Sequence, residues 1–240
     1  MTNRKGFSLA EVVLALFIFG FMSMSLATIY ATANRHMFQN YRRNTISTNA
    51  DFTMKLLHNT LATATRLDSP AFGGAGNALA FASNVDHGRP NPDNPGCYPI
   101  SASDDARWHY FCVAPDNLDG TFNSLYYHTG LLRAGNGAGT VPTTSCLSAA
   151  AATFGINGYP ACGPGGGGTV TKLMQHIQPP DAPRSQAVFS RAAADGVREV
   201  PAVRITLRSV WRADARGFGA SQRDIDFTLD SLVTVNRAAQ

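Results

Sequence analysis

The chain has 240 residues, a formal net charge of +4 and 44% hydrophobic residues. This length is enough for one membrane-spanning helix and one globular domain with a sizeable core. Arg4 and Lys5 supply two of the positive charges at the N-terminus, so the rest of the chain carries about +2. A charge this small does not by itself indicate a nucleic-acid partner.

The first element is a short basic leader followed by an apolar segment. Gly6 and Phe7 come after the leader's basic residues, Glu11 follows, and residues 12–29 are almost uncharged. As a helix, residues 12–29 would span about 27 Å, close to the hydrocarbon thickness of a bilayer. A carboxylate at the head of such a helix is costly in a membrane and needs a partner. We therefore predict that Glu11 pairs with another copy of this helix or with a related helix.

These residues resemble the prepilin signal of type IV pilins and type II secretion pseudopilins. The shared features are a basic leader ending in Gly6, then Phe7, Glu11 four residues later, and the apolar helix. The resemblance implies that a prepilin peptidase cleaves between Gly6 and Phe7 and methylates the new N-terminus of Phe7. It also implies that Glu11 helps to bring the subunit into a filament with other pilin or pseudopilin subunits. The other implied partners are the inner-membrane assembly platform and, before assembly, membrane lipid.

Two other interpretations of this N-terminus remain open. Residues 31–33, Ala-Thr-Ala, fit the cleavage site of a secretory signal peptide, although the apolar run is long for one and Glu11 is out of place. A plain single-pass anchor would explain the apolar run but neither the Gly-Phe junction nor the acid. Sequencing the mature N-terminus separates the three interpretations, which predict N-methylated Phe7, Asn34 and an intact leader.

The helix is predicted to continue well beyond the membrane. Residues 21–69 contain no glycine or proline, so we expect the helix to reach about Leu67 and to stop before Pro70. Apolar residues in its outer half recur at spacings of three and four and make one stripe. The stripe consists of Ile46, Ala50, Met54, Leu57, Leu61 and Ala64. Ordinary core packing would bury this stripe, and the family resemblance implies that it packs on a sheet.

The domain organisation follows from these segments. Residues 1–6 are the leader, 7–33 the transmembrane and assembly half of the helix, 34–69 its outer half, and 70–240 a globular head. The predicted fold class is α+β and pilin-like, with the long helix packed on an antiparallel sheet that carries long, disulfide-stapled loops. Before assembly the chain would span the inner membrane once with its head in the periplasm. In the pilus or pseudopilus the head could reach the cell surface.

Strand candidates interrupt a loop-rich middle region and then dominate the last third of the chain. They are residues 78–83, 108–113, 124–128, 130–133, 187–191, 203–211 and 224–235. Residues 90–96 and 165–168 are predicted loops because of their proline and glycine content. The order resembles W-type minor pilins and J-type minor pseudopilins. Many type IV pilins carry a proline near the position of Thr28. The lack of that proline here also favours minor pilins and pseudopilins over major pilins.

Four cysteines lie beyond the membrane segment, which fits an oxidising compartment. Their spacing has no Cys-x-x-Cys pair, so we expect no zinc or other metal site. Three disulfide connectivities are possible. We favour Cys97–Cys112 and Cys146–Cys162, because each closes a short loop in a region rich in glycine and proline. Free buried thiols are the alternative.

The last two strand candidates are predicted to form a hairpin with a self-neutralised polar face. Arginines on residues 203–211 make a row that alone could hold phosphates, but aspartates alternate on residues 224–235 in the same way. The predicted cross-strand partners are Arg204 with Asp230, Arg208 with Asp226, Ile205 with Leu229, and Leu207 with Phe227. Because these pairs cancel the basic field, nucleic-acid binding through this face is not expected.

The sequence contains no recognisable catalytic motif: there is no Gly-x-Ser-x-Gly, P-loop, His-Glu-x-x-His or dinucleotide fingerprint. The acidic residues at 104–105 and 116–120 could offer oxygens to calcium, but such clusters usually form turns. We therefore expect no catalytic residues, no cofactor and no metal.

The predicted function is that of a non-enzymatic minor pilin or pseudopilin that primes or caps a filament, because a bulky head would be costly in every subunit of a lattice. Two other classes of function remain open. One is a binding module on the filament, either an adhesin or a DNA-uptake receptor. The other is a membrane-anchored periplasmic enzyme.

Overall fold

The computed structural model describes residues 8–90, 97–99, 107–116, 123–131, 160–177, 187–192, 202–211 and 225–235. For residues 85–90, 97–99, 131 and 211 the description covers the backbone alone. The chain divides into two compact units, Met1–Thr45 and Ile46–Gln240.

Helix α1 runs from Leu9 to Ala62 and contains 54 residues. Its residues up to Thr45 belong to the first unit, and the remainder belongs to the second. Within the second unit one face of α1 is buried, at spacings of three and four residues. The buried residues of that face are Ile46, Ala50, Thr53, Met54, Leu57 and Leu61. The predicted apolar stripe is therefore confirmed as far as Leu61.

The end of the helix differs from the prediction. The helix stops at Ala62 rather than near Leu67, and Ala64–Ser69 forms strand β1. The Thr63 amide donates to the Thr60 carbonyl in a tight turn at 3.2 Å, and the Thr63 hydroxyl donates to the same carbonyl at 2.7 Å. The chain from there pairs with strand β3, Ala78–Ser83. Threonine has a low helix propensity, and its hydroxyl competes for backbone hydrogen bonds. The pairing of β1 with the sheet therefore ends the helix here, although the sequence has no glycine or proline at this point.

Strands form most of the described part of the second unit. They are β1 (Ala64–Ser69), β2 (Ala75–Gly76), β3 (Ala78–Ser83), β4 (Val85–Pro90), β5 (Cys97–Pro99), β6 (Arg107–Pro115), β7 (Asn123–Leu131), β8 (Thr169–Ile177), β9 (Phe189–Arg191), β10 (Ala202–Trp211) and β11 (Ile225–Thr234). Nine of them build one sheet in the order β1-β3-β6-β7-β8-β10-β9-β2, with β11 beside β10. Strands β4 and β5 form a separate pair. Each of these pairings is antiparallel, and the α+β class is confirmed.

The strand predictions agree with the structure to different degrees. Strand β3 has the predicted bounds, whereas the two candidates at 124–128 and 130–133 are one strand, β7. Thr129 keeps that strand continuous, because it pairs with His109 and its hydroxyl donates to the Trp108 carbonyl at 2.9 Å. Strands β1, β2, β4, β5 and β8 were not among the predicted strands. The sequences of β2, β4 and β5 are short or rich in turn-forming residues, and most of β1 was included in the predicted helix.

The sheet has a buried cluster on each face. The larger cluster joins the buried face of α1 to aliphatic and aromatic residues of the sheet, including Phe81, Phe111, Ile205 and Leu207. The smaller cluster lies on the opposite face of strands β3, β6 and β7. Its members are Ala80, Ala82, Trp108, Tyr110, Cys112 and Tyr126. The strict alternation of side chains in a strand separates the two sets.

Strands β10 and β11 are neighbours, as predicted, but their register differs by two residues. Thr206 rather than Arg204 stands opposite Asp230, and Leu207 stands opposite Leu229. A shift of two residues keeps every side chain on its predicted face, because the side-chain period of a strand is two. The predicted faces are therefore right, and the predicted direct partners are wrong.

Candidate functional site

The first half of α1 is apolar on all sides and exposed. Four consecutive residues, which together cover the full circumference of a helix, are Leu16, Phe17, Ile18 and Phe19. Their exposed fractions lie between 52% and 74%. A helix that is apolar all round belongs in hydrocarbon or among other helices. Within the described ranges, α1 is one helix that is long and apolar enough to cross a membrane.

Polar side chains within this apolar segment bond to their own helix backbone. The Ser25 hydroxyl donates to the Phe21 carbonyl at 3.0 Å, and the Thr28 hydroxyl donates to the Ser25 carbonyl at 2.8 Å. Thr32 donates in the same way to the Thr28 carbonyl at 2.8 Å. These bonds replace water for groups that would otherwise be unsatisfied in a bilayer. The segment therefore suits hydrocarbon despite its hydroxyls.

The helix begins with a reciprocal cap formed by Ser8 and Glu11. The Glu11 carboxylate accepts hydrogen bonds from the Ser8 amide at 2.9 Å and from the Ser8 hydroxyl at 3.0 Å. The Glu11 amide in turn donates to the Ser8 hydroxyl oxygen at 3.4 Å. This arrangement is a capping box, which satisfies amides that a helix N-terminus leaves unpaired. The Ser-x-x-Glu spacing is a sequence signature of this cap, which was not among the predictions.

The capping box gives Glu11 a partner within its own chain. The acid at the head of the apolar helix is therefore not isolated even in a single subunit. Pairing of Glu11 with another helix stays a prediction. The predicted cleavage residues, Gly6 and Phe7, lie outside the described residues.

Comparison with known protein families identifies this N-terminal segment. The model of the prokaryotic N-terminal methylation motif matches residues 1–27. Residues 1–27 therefore carry a prepilin-type methylation motif. The match supports a type IV pilin-like or pseudopilin-type subunit, and it implies processing by a prepilin peptidase and assembly with other pilins. No curated protein and no solved structure matches the chain.

The disulfide prediction was wrong in its connectivity. Cys112 is bonded to Cys162, with 5.9 Å between their Cα atoms and 50 residues between them in sequence. This bond excludes both Cys97–Cys112 and Cys146–Cys162. The reason is that residues 160–168 pack back on the face of the sheet that carries Cys112, which the short-loop argument did not consider. Cys146 and the side chain of Cys97 lie outside the described residues.

Next to this disulfide lies the buried imidazole of His128 on β7. Its Nε2 accepts from the Gly163 amide at 3.3 Å, and its Nδ1 lies 3.3 Å from the Gly167 carbonyl oxygen. These partners require a neutral ring with its proton on Nδ1. Burial lowers the pKa of His128, and the bond to Gly167 opposes that effect in part. One ring nitrogen and the sulfurs of Cys112 and Cys162 lie within 4.8 Å of one another.

Within the glycine run at 165–168, the backbone at Gly166 and Gly168 is closely packed and forms a cover, here called the glycine cover, over the side chains below. A Cβ atom on Gly166 would lie 2.1 Å from the Ala161 carbonyl oxygen and 2.5 Å from the His128 ring. A Cβ atom on Gly168 would lie 2.8 Å from Trp108, and the φ of Gly168 is +80°. Both positions need glycine, because the backbone itself contacts the rings.

The arginine row on β10 forms the predicted ion pairs, although by diagonal contacts. The Nε of Arg204 lies 3.0 Å from each carboxylate oxygen of Asp230, and the Thr206 hydroxyl donates to Asp230 at 3.2 Å. The Nε of Arg208 lies 3.1 Å from Asp226. The bond from Arg204 holds the pKa of Asp230 below its usual value. A phosphate at this face would have to displace two carboxylates from their arginines.

The residues considered for calcium are only partly described. Asp116 accepts from the Ser124 hydroxyl and from the Lys172 ammonium group, each at 3.1 Å. A lysine at this carboxylate opposes a second cation there. The acidic residues at 104–105 and those at 117–120 lie outside the described residues.

Proposed function

We propose that this chain is a non-enzymatic minor pilin or pseudopilin subunit. In the proposal it assembles through α1 into a type IV pilus-like or type II secretion pseudopilus filament. The match of residues 1–27 to the methylation motif carries the proposal. The exposed apolar half of α1 supports it, because such a surface needs lipid before assembly and neighbouring helices afterwards.

Processing at Gly6 and Phe7 would expose the assembly end of the helix. A prepilin peptidase would cleave between these two residues and methylate the new amine of Phe7. Ser8, the first residue of the capping box, would then be the second residue of the mature chain. In the filament the Glu11 carboxylate would pair with the N-terminal amine of a neighbouring subunit, exchanging its bonds to Ser8 for an intersubunit ion pair.

The priming or capping role rests on the size of the head. The second unit builds a nine-stranded sheet within its described residues and carries further chain between the strands. Every copy in a helical lattice would have to accommodate that volume, whereas a subunit at the tip meets neighbours on one side only. Before assembly the chain would lie in the inner membrane, with the head in the periplasm and the assembly platform as a partner.

Sequencing and mass analysis of the mature N-terminus test the proposal most directly. We expect a chain that begins with N-methylated Phe7 and has lost residues 1–6. A chain that begins at Asn34 would contradict the proposal in favour of a secreted protein without the helix. An intact N-terminus in cells that contain an active prepilin peptidase would contradict it in favour of a plain anchor.

A further inference from the structure

We propose that Cys112, Cys162 and His128 bind one Zn²⁺ ion when the two cysteines are in the dithiol state. The three side chains come from β6, from the segment after residue 159 and from β7, so the sequence spacing does not announce them. The fold nevertheless brings their ligand atoms within 4.8 Å of one another. Two thiolates and one imidazole are a donor set that zinc prefers. Cysteines are synthesised as thiols, so this donor set exists before the disulfide forms.

A single tetrahedral ion would need the two sulfurs to separate. Thiolate sulfurs bind zinc at about 2.3 Å and imidazole nitrogen at about 2.1 Å, so the ligand atoms of one site are roughly 3.5–3.8 Å apart. In this structure the sulfurs are bonded to each other and are therefore closer than that, and the His128 nitrogen lies within 4.8 Å of both. Reduction of the disulfide would let the sulfurs move apart around an ion without a change in the fold. Cys112 is buried and Cys162 is partly exposed, which leaves one side of the site open for an ion to enter and for water as a fourth ligand.

The hydrogen bonds of His128 prepare it for this role. Nδ1 is held by the Gly167 carbonyl, which leaves the lone pair of Nε2 directed at the segment that contains Cys162. A metal-binding histidine characteristically has its other nitrogen fixed by a backbone carbonyl or a carboxylate in this way. The Gly163 amide that now occupies Nε2 is 3.3 Å away, which is a long bond that an ion could replace.

The reaction is a ligand exchange without electron transfer. Two thiols bind Zn²⁺ and release two protons, while neutral His128 binds through Nε2 without a change in its proton count. Oxidation to the disulfide and binding of zinc are then alternative ways to fasten residues 160–168 to the sheet. Either one holds the glycine cover on His128 and Trp108.

The test uses the mature full-length chain in detergent, with Cys97→Ser and Cys146→Ser to remove the other two thiols. After reduction with a phosphine, zinc titration should give one ion per chain and raise the melting temperature; the oxidised chain should bind none. Cobalt(II) in place of zinc should give a thiolate-to-metal charge-transfer absorption. The same titration on the chain with all four cysteines shows whether the two serine substitutions disturb the fold.

The decisive variant is His128→Asn. It should lower zinc affinity at least tenfold in the reduced chain, while the oxidised chain still forms the Cys112–Cys162 bond and so reports an intact fold. His58→Asn is the matched control, since His58 lies on α1 and bonds to Ser231 across the opposite face of the sheet. Equal zinc binding by reduced and oxidised chains, or unchanged affinity in His128→Asn, would overturn the proposal.

Discussion

The two parts of α1 have the same secondary structure and opposite surroundings. Phe17 in the first part is 74% exposed, whereas Leu57 in the second part is fully buried against the sheet. Helix propensity does not distinguish them, because both parts are continuous helix of ordinary helix-forming residues. The difference shows that the second part already has its packing partner within the chain, and the first part requires one from outside.

The largest expected effect concerns the first part of the helix. Glu11→Val should leave the chain inserted in the membrane, because the apolar segment is unchanged, but should abolish its recovery in the filament fraction. The reason is the loss of the carboxylate that the proposal pairs with a neighbouring N-terminal amine. The measurement is co-purification with sheared filaments, with membrane fractionation as the test of insertion.

Two matched variants separate the charge of Glu11 from its capping role. Glu11→Gln keeps a side chain that can complete a capping box but removes the charge, whereas Ser8→Ala removes the box and keeps the charge. We expect Glu11→Gln to fail in assembly and Ser8→Ala to assemble. Assembly of Glu11→Val at the wild-type level would show that Glu11 has no such role.

The second part of the helix should respond in stability rather than in assembly. Leu57→Ala removes a fully buried side chain from the cluster between α1 and the sheet, which typically costs about 2–5 kcal/mol. Phe52→Ala is the control on the same helix, since Phe52 is 62% exposed and its loss should change the unfolding free energy by about 0.5 kcal/mol or less. Denaturant unfolding of the detergent-solubilised chain, followed by tryptophan fluorescence, to which buried Trp108 contributes, measures both. Equal midpoints for the two variants would contradict the packing described above.

The buried sheet should also make the second unit sensitive to acid. Burial, and to a smaller extent Arg107, lowers the pKa of His109 from 6.5 to about 4. His109 lies between Ser83 and Tyr127, at 2.8 Å and 2.7 Å from their hydroxyl oxygens. As the pH falls from 6.5 to 4, the unfolded chain takes up this proton before the folded one does. The unfolding free energy should therefore fall by about 3 kcal/mol across that range and show no further loss from this group below it.

The pH dependence is tested by comparison with His109→Asn, since carboxylates also contribute to acid unfolding. The variant is expected to be less stable at neutral pH but to lose less stability between pH 6.5 and pH 4. Unfolding midpoints at a series of pH values measure this difference. Parallel curves for the two proteins would show that His109 is not held neutral.

The smallest effect is expected at the paired polar face. Arg204 and Asp230 are 61% and 40% exposed, so solvent and salt screen their interaction. Arg204→Ala should therefore shift the unfolding midpoint only slightly, and the shift should shrink further as salt is raised. The same titration with Asp230→Ala is the control. A large shift that is independent of salt would mean that the pair is not a surface pair.

Patterns that repeat along one element predicted its structure well. The spacing of Ile46, Ala50 and Leu57 gave the buried face of α1, and alternation gave the faces of β10 and β11. Features that depend on a distant partner were missed. The pairing of β1 with β3 ends the helix, and the return of residues 160–168 to β6 selects Cys162 as the partner of Cys112. The two-residue shift in the register of β10 and β11 was missed for a similar reason. Both registers place each side chain on the same face, so the alternation in the sequence cannot distinguish them.

The proposed zinc ligands show the same limit of prediction from the sequence. Cys112, His128 and Cys162 are separated by 16 and 34 residues and have no motif spacing. Pairing of β6 with β7 brings the first two together, because Cys112 stands opposite Tyr126 and His128 is two residues further along that strand. The capping box of Ser8 and Glu11 is the contrary case, since both residues lie in one helical turn and could be read directly.

The glycine cover has a practical consequence for labelling the subunit. A run of four glycines would ordinarily be selected as the place to insert an epitope tag or a protease site. Here the backbone of Gly166 and Gly168 lies against His128 and Trp108 with no room for even one methyl group. An insertion there would lift the segment that Cys162 fastens to β6 and expose Trp108, which is otherwise fully buried. A tag intended to locate the subunit within a filament should therefore be placed elsewhere in the chain.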